Sequence, residues 1–259
     1  MNYTLAEQMI VVAARLLKDQ DVVYTGVGLP TMAALLARHT HAPHLTIIFE
    51  TGIIRTEPCP LPQGVDTLSS QMLAEKLSDA FYINSLAERG YVNVGFVGAG
   101  QIDRRGNINS TCSGSYLKPC FRFPVGGGAC DITSLCRSWV AILRQKRVRF
   151  PERVDFVTAP GYLDGKPKAR EHAGLPSDTG PRKVITDMGV FTFVEREMAL
   201  ESIHAGVSRE SLRQNIGWDL RELSAVGETP VPSNEEIDIL RRKIQIRAEG
   251  ASIYPPVPT

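Results

Sequence analysis

The residue best placed to do chemistry is Glu50. It closes the apolar run Leu45-Thr46-Ile47-Ile48-Phe49 and is followed by Thr51-Gly52. A short run rich in Ile and Phe, bounded by His-Ala-Pro-His upstream and Gly downstream, reads as a buried strand. Glu50 then stands at the strand's carboxyl end, where open α/β sheets bind ligands. A carboxylate there either turns to solvent or belongs to a site, because burying it unpaired and unused is costly. Two glycine-rich turns accompany it. Gly26-Val27-Gly28 directly follows the β-rich run Val22-Val23-Tyr24-Thr25, and Gly126-Gly127-Gly128-Ala129 closes a long irregular stretch.

These features suit two chemistries. A Gly-x-Gly after a strand, with an acid about 20 residues on, is part of a dinucleotide-binding fingerprint. The third glycine is missing, because position 31 is Thr, and Pro30 occupies the turn where free N–H groups should meet a phosphate. The other chemistry is nucleophilic attack by a carboxylate on an activated acyl group. Backbone N–H groups in glycine turns can polarise the acyl oxygen. No G-x-S-x-G stands in the chain.

The elements that must hold these residues read as strand and helix in alternation. Thr4 and Glu7 have capping-box spacing, and Leu5, Met9, Val12, Ala13, Leu16 and Leu17 follow at helical spacing. Strand Val22–Thr25, a helix entered through Pro30 and running to Arg38, and the Glu50 strand form a βαβ unit. Residues 54–65, with Pro58, Pro60 and Pro62, read as a loop. Residues 66–89 read mostly as helix, with Leu68, Met72, Leu73, Leu77 and Phe81 at helix-compatible spacing. Further strands are predicted at 92–97, 139–143, 154–158 and 184–187. A turn is predicted at Asp103–Asn107, a long surface loop at 161–182 and a hairpin at 190–200. Ser208 caps a short helix, and Ser233 with Glu236 forms a second capping box. The segment 109–128 has little periodicity, as functional loops often do. The expected fold is α/β: an open, mostly parallel sheet with helices on both faces and antiparallel additions toward the C-terminus.

Composition narrows the function. The chain has 259 residues, 43% of them hydrophobic and 22% charged, with a net charge of +1. Bulk charge gives no reason to expect a nucleic-acid partner, and no apolar run has membrane-span length. No signal-peptide pattern opens the chain, so the cytoplasm is the expected compartment. The cysteines at 59, 112, 120, 130 and 136 are odd in number and irregularly spaced, which fits core or loop thiols better than disulfides or zinc. His39, His41 and His44 read as a solvated loop rather than a metal site. The basic run Arg144, Lys146, Arg147, Arg149 and Arg153 reads as a solvated turn, with contact to an anion as the alternative.

From about residue 4 to residue 245 the chain resembles the B (β) subunit of the family I CoA-transferases, nearest the glutaconate and 3-oxoadipate type. The motifs are Gly26-Val27-Gly28-Leu29-Pro30, Thr40-His41-Ala42-Pro43 and Glu50-Thr51-Gly52. Gly98-Ala99-Gly100-Gln101-Ile102-Asp103, Gly106-Asn107-Ile108-Asn109-Ser110-Thr111, Gly127-Gly128-Ala129 and Asp155-Phe156-Val157-Thr158-Ala159-Pro160-Gly161 follow in the same order. The resemblance implies that Glu50 is the catalytic glutamate; Thr51 departs from the family's usual Ser or Asn. It implies that Gly127, Gly128 and Ala129 lie near the reacting carbonyl, with Gly26 and Gly28 lining the same pocket. It implies ping-pong transfer of CoA between an acyl-CoA and a dicarboxylic or 3-oxo acid through a glutamyl-CoA thioester. Coenzyme A is then a substrate, with no permanently bound cofactor and no metal. A homologous A subunit is the implied partner, and residues 1–259 form one B-type domain with an extended tail from about 246. Relatives on this scaffold that lack the glutamate act as decarboxylases or ring-opening hydrolases, so retention of Glu50 favours transfer.

Overall fold

The structure, a computed structural model, describes residues 2–55, 64–65, 67–124 and 126–244. The prolines at 58, 60 and 62, Cys59 and the tail from about 246 lie outside the described residues. Helix α1 (Leu5–Arg15) begins with the predicted reciprocal cap. Thr4 Oγ1 accepts the Glu7 N–H at 3.2 Å, and Glu7 Oε2 accepts the Thr4 N–H at 2.7 Å. β1 (Val22–Tyr24), α2 (Leu29–His39) with its proline in the first turn, and β2 (Thr46–Ile48) form the predicted βαβ unit. β3 (Ile53–Arg55), α3 (Leu68–Gln71), β4 (Lys76–Leu77), α4 (Ala80–Glu88) and β5 (Val94–Val97) follow. Two small hairpins come next, β6 (Gln101–Ile102) with β7 (Ile108–Asn109) and β8 (Cys112–Ser115) with β9 (Lys118–Arg122). The remaining elements are α5 (Ala129–Leu135), β10 (Ser138–Ile142), α6 (Ala169–His172), β11 (Gly180–Ile185), β12 (Gly189–Val194), β13 (Glu197–Ile203), α7 (Arg209–Gln214), β14 (Arg221–Glu228) and α8 (Asn234–Arg242).

The main sheet runs β14-β13-β12-β11-β10-β5-β1-β2-β3-β4. Its centre, β11-β10-β5-β1-β2, is parallel throughout. The predicted hairpin β12–β13 adds antiparallel strands on the C-terminal side, and β14 then pairs parallel to β13. Antiparallel β3 and β4 extend the other edge as well. Each face has its own core. Ile10, Leu36, Val23, Ile47 and Leu240 pack on the side of α1, α2 and α8, while Tyr24, Ile48, Ile83, Ile132 and Trp139 pack on the side of α4 and α5. Val23 and Tyr24, like Ile47 and Ile48, therefore serve opposite faces, as a period of two requires.

Four expectations are corrected. Residues 54–65 do not begin as loop, since Ile53–Arg55 is a strand paired to β2. Residues 66–89 are not one helix. Leu73 takes a left-handed φ of 57°, and Lys76–Leu77 then pairs with β3, satisfying the edge that strand would otherwise expose. Leu68, Met72, Leu73, Leu77 and Phe81 are all exposed. Residues 154–158 are not a strand. They cross the small hairpins and tie to them largely through their own side chains: Asp155 Oδ2 accepts from Gln101 and from the Gly114 N–H, Thr158 Oγ1 accepts the Ser110 N–H, and the Thr158 N–H donates to the Ile108 carbonyl at 2.8 Å. The loop 161–182 contains α6, and its Arg170 is buried. The predicted turn at Asp103–Asn107 reaches that loop, where Asn107 Oδ1 accepts the Gly161 and Leu163 N–H groups.

The basic run is a solvated turn apart from Arg149, which is buried. The histidine loop is tied down. His44 Nδ1 lies 2.9 Å from Asp19 Oδ2, and His41 Nε2 lies 3.1 Å from the Leu17 carbonyl oxygen. Cys112 and Cys136 are buried thiols, and Cys120 and Cys130 exposed ones.

Candidate active site

Strand β2 determines where Glu50 points. Ile47 and Phe49 pack on the α1–α2 side and Ile48 on the α5 side, so the alternation sends Glu50 toward α5. The chain then reverses at once. The Gly52 N–H donates to the Phe49 carbonyl at 3.0 Å and the Phe49 N–H donates to the Ile53 carbonyl at 2.9 Å, so Glu50 lies in the tight turn joining β2 to β3. Thr51 supports that turn from outside by donating from Oγ1 to the Val65 carbonyl at 2.6 Å.

Gly128 approaches from the other side. It caps α5, whose first turn comes over the carboxyl end of the sheet, and its N–H donates to Glu50 Oε2 at 2.5 Å. A Cβ on residue 128 would overlap that oxygen. Gly127 takes a left-handed φ of 50°, and the Ala129 N–H is used within the turn, donating to the Gly126 carbonyl at 3.2 Å. The structure therefore brings Glu50 and Gly128 into direct contact, with Gly127 and Ala129 shaping the turn that presents the donor.

Gly26 and Gly28 belong to the neighbouring strand end. The Thr25 N–H donates to the Ile48 carbonyl at 3.0 Å, so this turn leaves the sheet beside the Glu50 turn. Gly28 caps α2 at a φ of 91°. A Cβ on Gly26 would meet nothing within 4 Å, so the space in front of it is open. Thr31, in the place of the missing third glycine, is buried and donates from Oγ1 to the Gly26 carbonyl at 2.7 Å.

Sequence reasoning missed Tyr24, the last residue of β1. Its ring is buried and its hydroxyl donates to Asn84 Oδ1 at 3.3 Å. Burial pushes the hydroxyl's pKa up, and the negative charges of Glu50 and Asp131 push it further. The signal was its position, one strand over from the residue preceding Phe49, with Tyr24 paired to Ile48. The site thus has a buried neutral hydroxyl, a carboxylate held by one backbone donor, and open space before a glycine turn. That arrangement suits attack by the carboxylate on an acyl carbon.

Comparison with known proteins agrees in sequence and in shape. The profile of the coenzyme A transferase family matches residues 6–215. The B chain of 3-oxoadipate CoA-transferase from Pseudomonas knackmussii is 37% identical, over 92% of this chain and 92% of that protein. The B chain of glutaconate CoA-transferase from Acidaminococcus fermentans is 36% identical, over 96% of this chain and 98% of that protein. The crystal structure of the Acidaminococcus enzyme superposes with a TM-score of 0.88 over 95% of this chain and 99% of that one, at 31% identity. The decarboxylase AibA/AibB superposes with a TM-score of 0.78 over 92% of this chain and 93% of that one, at 27% identity.

Proposed function

The chain belongs to the coenzyme A transferase family, and we propose on that premise that Glu50 is the residue through which CoA passes. The protein is the B-type subunit of a CoA-transferase and works with a homologous A subunit. CoA is its substrate, and no permanently held cofactor is needed. The acid it serves is a dicarboxylic or 3-oxo acid, the class named for its relatives. Residues 1–259 are taken as one B-type domain, and the irregular cysteine spacing is compatible with the expected cytoplasmic location.

The hydrogen bond from the Gly128 N–H to Glu50 Oε2 supports this reading most directly. The Glu50 carboxylate attacks the thioester carbonyl carbon. The C–S bond breaks, CoA leaves as thiolate, and a mixed anhydride remains. The thiolate then attacks the Glu50 carbonyl carbon, releasing the first acid as its carboxylate and leaving CoA on Glu50 as a thioester. A second carboxylate runs these steps in reverse. One activated acyl bond is kept at every stage, so no ATP is consumed. The Gly128 N–H is aimed at the oxygen that carries negative charge in the resting carboxylate and again in each tetrahedral intermediate on Glu50. A preorganised donor of this kind stabilises transition states most.

The likeness to AibA/AibB carries a second reading, decarboxylation on the same scaffold, and the retained carboxylate favours transfer over it. A dinucleotide site is disfavoured because Thr31 stands where the fingerprint's third glycine should be and Pro30 removes an N–H from the turn a pyrophosphate would need. To test the assignment, the A–B complex is given acyl-CoA without acceptor and treated with borohydride. The expected result is inactivation, with the reduced residue mapped to Glu50 and both effects absent in Glu50→Gln. CoA exchange by Glu50→Gln at near wild-type rate, or an adduct mapped to Cys130, would overturn it.

A further inference from the structure

A cavity of about 580 Å³ opens at the opposite end of the strands from Glu50. Its floor is the amino ends of the parallel strands β10 and β11, its roof the loop carrying α6, and its rim the β12–β13 turn. Glu50 stands at the carboxyl end of β2, so the length of the strands separates the two places. A six-residue strand spans roughly 20 Å.

Cationic side chains outnumber anionic ones on the cavity wall. Arg137, Arg170, Arg182 and Arg196 line it. Among the described residues none of these four has a carboxylate within ion-pair distance. Arg170 is 4% exposed and is held entirely by neutral oxygens. It donates to the carbonyls of Thr133, Pro160 and Gly161 at 2.8–3.0 Å and to Thr179 Oγ1 at 2.9 Å. The carbonyl dipoles fix this guanidinium in place but leave its full charge at the cavity wall. Three carboxylates also line the space. Glu195 is already paired with Arg221 at 2.8 Å, which leaves Glu171 and Asp178 against four guanidiniums. Lys166, also on the wall, pairs with Asp164 at 3.0 Å. Tyr162 and Phe193, packed edge to face at 5.6 Å, give the cavity an aromatic side.

We propose that this cavity is a second binding site, taking a small molecule with at least two adjacent anionic groups, phosphoryl or carboxylate. The volume is that of a small-molecule pocket. Guanidinium forks suit both kinds of oxyanion. Neutralising a cluster of like charges around a fixed, buried arginine makes binding favourable without rearrangement.

The test is calorimetry on the A–B complex without acyl-CoA, titrating pyrophosphate in one arm and tricarballylate in the other. The two arms tell a phosphoryl site from a carboxylate site. Saturable binding of one anion per copy of this chain is expected, weakened at least about tenfold in Arg137→Ala/Arg182→Ala, a charge-pair loss worth roughly 1.4 kcal/mol. Arg182→Lys, which keeps the charge but loses the fork, should fall between wild type and the double variant, and an unchanged melting temperature shows that the variants fold. Glu50→Gln should bind like wild type, so failure here is distinguishable from failure of the Glu50 assignment. Absence of saturable binding in both arms would overturn the proposal. So would binding that the double variant leaves unchanged.

Discussion

The Gly128 N–H meets Glu50 Oε2 at 2.5 Å, and the glycine's missing side chain is what makes room for that oxygen. Gly128→Ala should therefore displace the carboxylate and misalign its donor together. Loss of one preorganised donor costs on the order of 10²–10³ in kcat. Steady-state assay of the A–B complex should show that fall, with a melting temperature close to wild type because the clash is with a side chain that can turn away. An alanine variant with full activity would remove this contact from the mechanism.

Shortening the nucleophile should be nearly as damaging. Glu50 lies in a turn anchored by the Phe49–Gly52 and Phe49–Ile53 backbone bonds, so the backbone cannot follow a shorter side chain. Glu50→Asp withdraws the carboxylate by about one bond length. A misplacement of that size can cost on the order of 10²-fold in rate. Single-turnover formation of the enzyme–CoA thioester is the measurement to make, and a rate within a few-fold of wild type would contradict the prediction.

Gly52 holds the turn against a second segment. Its φ is 99°, and a Cβ there would run into the Ser78–Asp79 backbone. Backbone cannot swing aside as a side chain can. Gly52→Ala should lower stability by about 1–3 kcal/mol through strain alone and should reduce activity too, because Glu50 is in the same turn. Denaturant unfolding monitored beside activity checks both, and loss of activity at unchanged stability would separate the two effects.

Glu7 ties α1 to α8. Its side chain is buried and accepts from Arg241 Nε at 2.7 Å and from the Thr4 N–H at 2.7 Å. Burial opposes its charge, but the Arg241 guanidinium and the Thr4 contacts outweigh burial and hold the carboxyl below its ordinary value of 4.5. A depressed acid stabilises the fold above its unfolded pKa, and that stability is lost as pH falls through the folded value. Glu7→Gln should therefore cost stability at pH 7, by about 1–3 kcal/mol for hydrogen bonds to a charged group. It should also flatten the loss of stability below pH 4.5. Unfolding free energies at pH 7 and pH 3.5 measure the difference. An equal loss at both pH values would mean that the charge on Glu7 contributes nothing.

Much of the fold was written locally. Thr4 and Glu7, Ser233 and Glu236, and Ser208 each announce a helix through groups only three residues apart, and all three helices form. The βαβ unit around Gly26–Pro30, the strand before Glu50 and the β12–β13 hairpin were legible because apolar period and turn residues are short-range signals. Leu68, Met72, Leu73, Leu77 and Phe81 misled for the same reason. Helix-compatible spacing says which residues could share a face, not whether anything covers it, and pairing of Lys76–Leu77 with β3 won instead. Residues 154–158 looked like a strand, yet they join no sheet and bond instead to the Gln101 side chain and to the backbone of residues 108, 110 and 114.

The order of the motifs was enough to place this chain in its family and to single out Glu50, Gly127 and Gly128, because each stands at a strand end or turn that the residue types themselves mark. What residue types cannot mark is a contact between residues 78 positions apart. Only the tertiary structure put the Gly128 N–H on Glu50, set Tyr24 on the strand beside the one that Glu50 follows, and gathered Arg137, Arg170, Arg182 and Arg196 around one cavity. Those distances depend on sheet order and helix packing, which are set by the burial of two apolar faces at once rather than by any local stretch of chain.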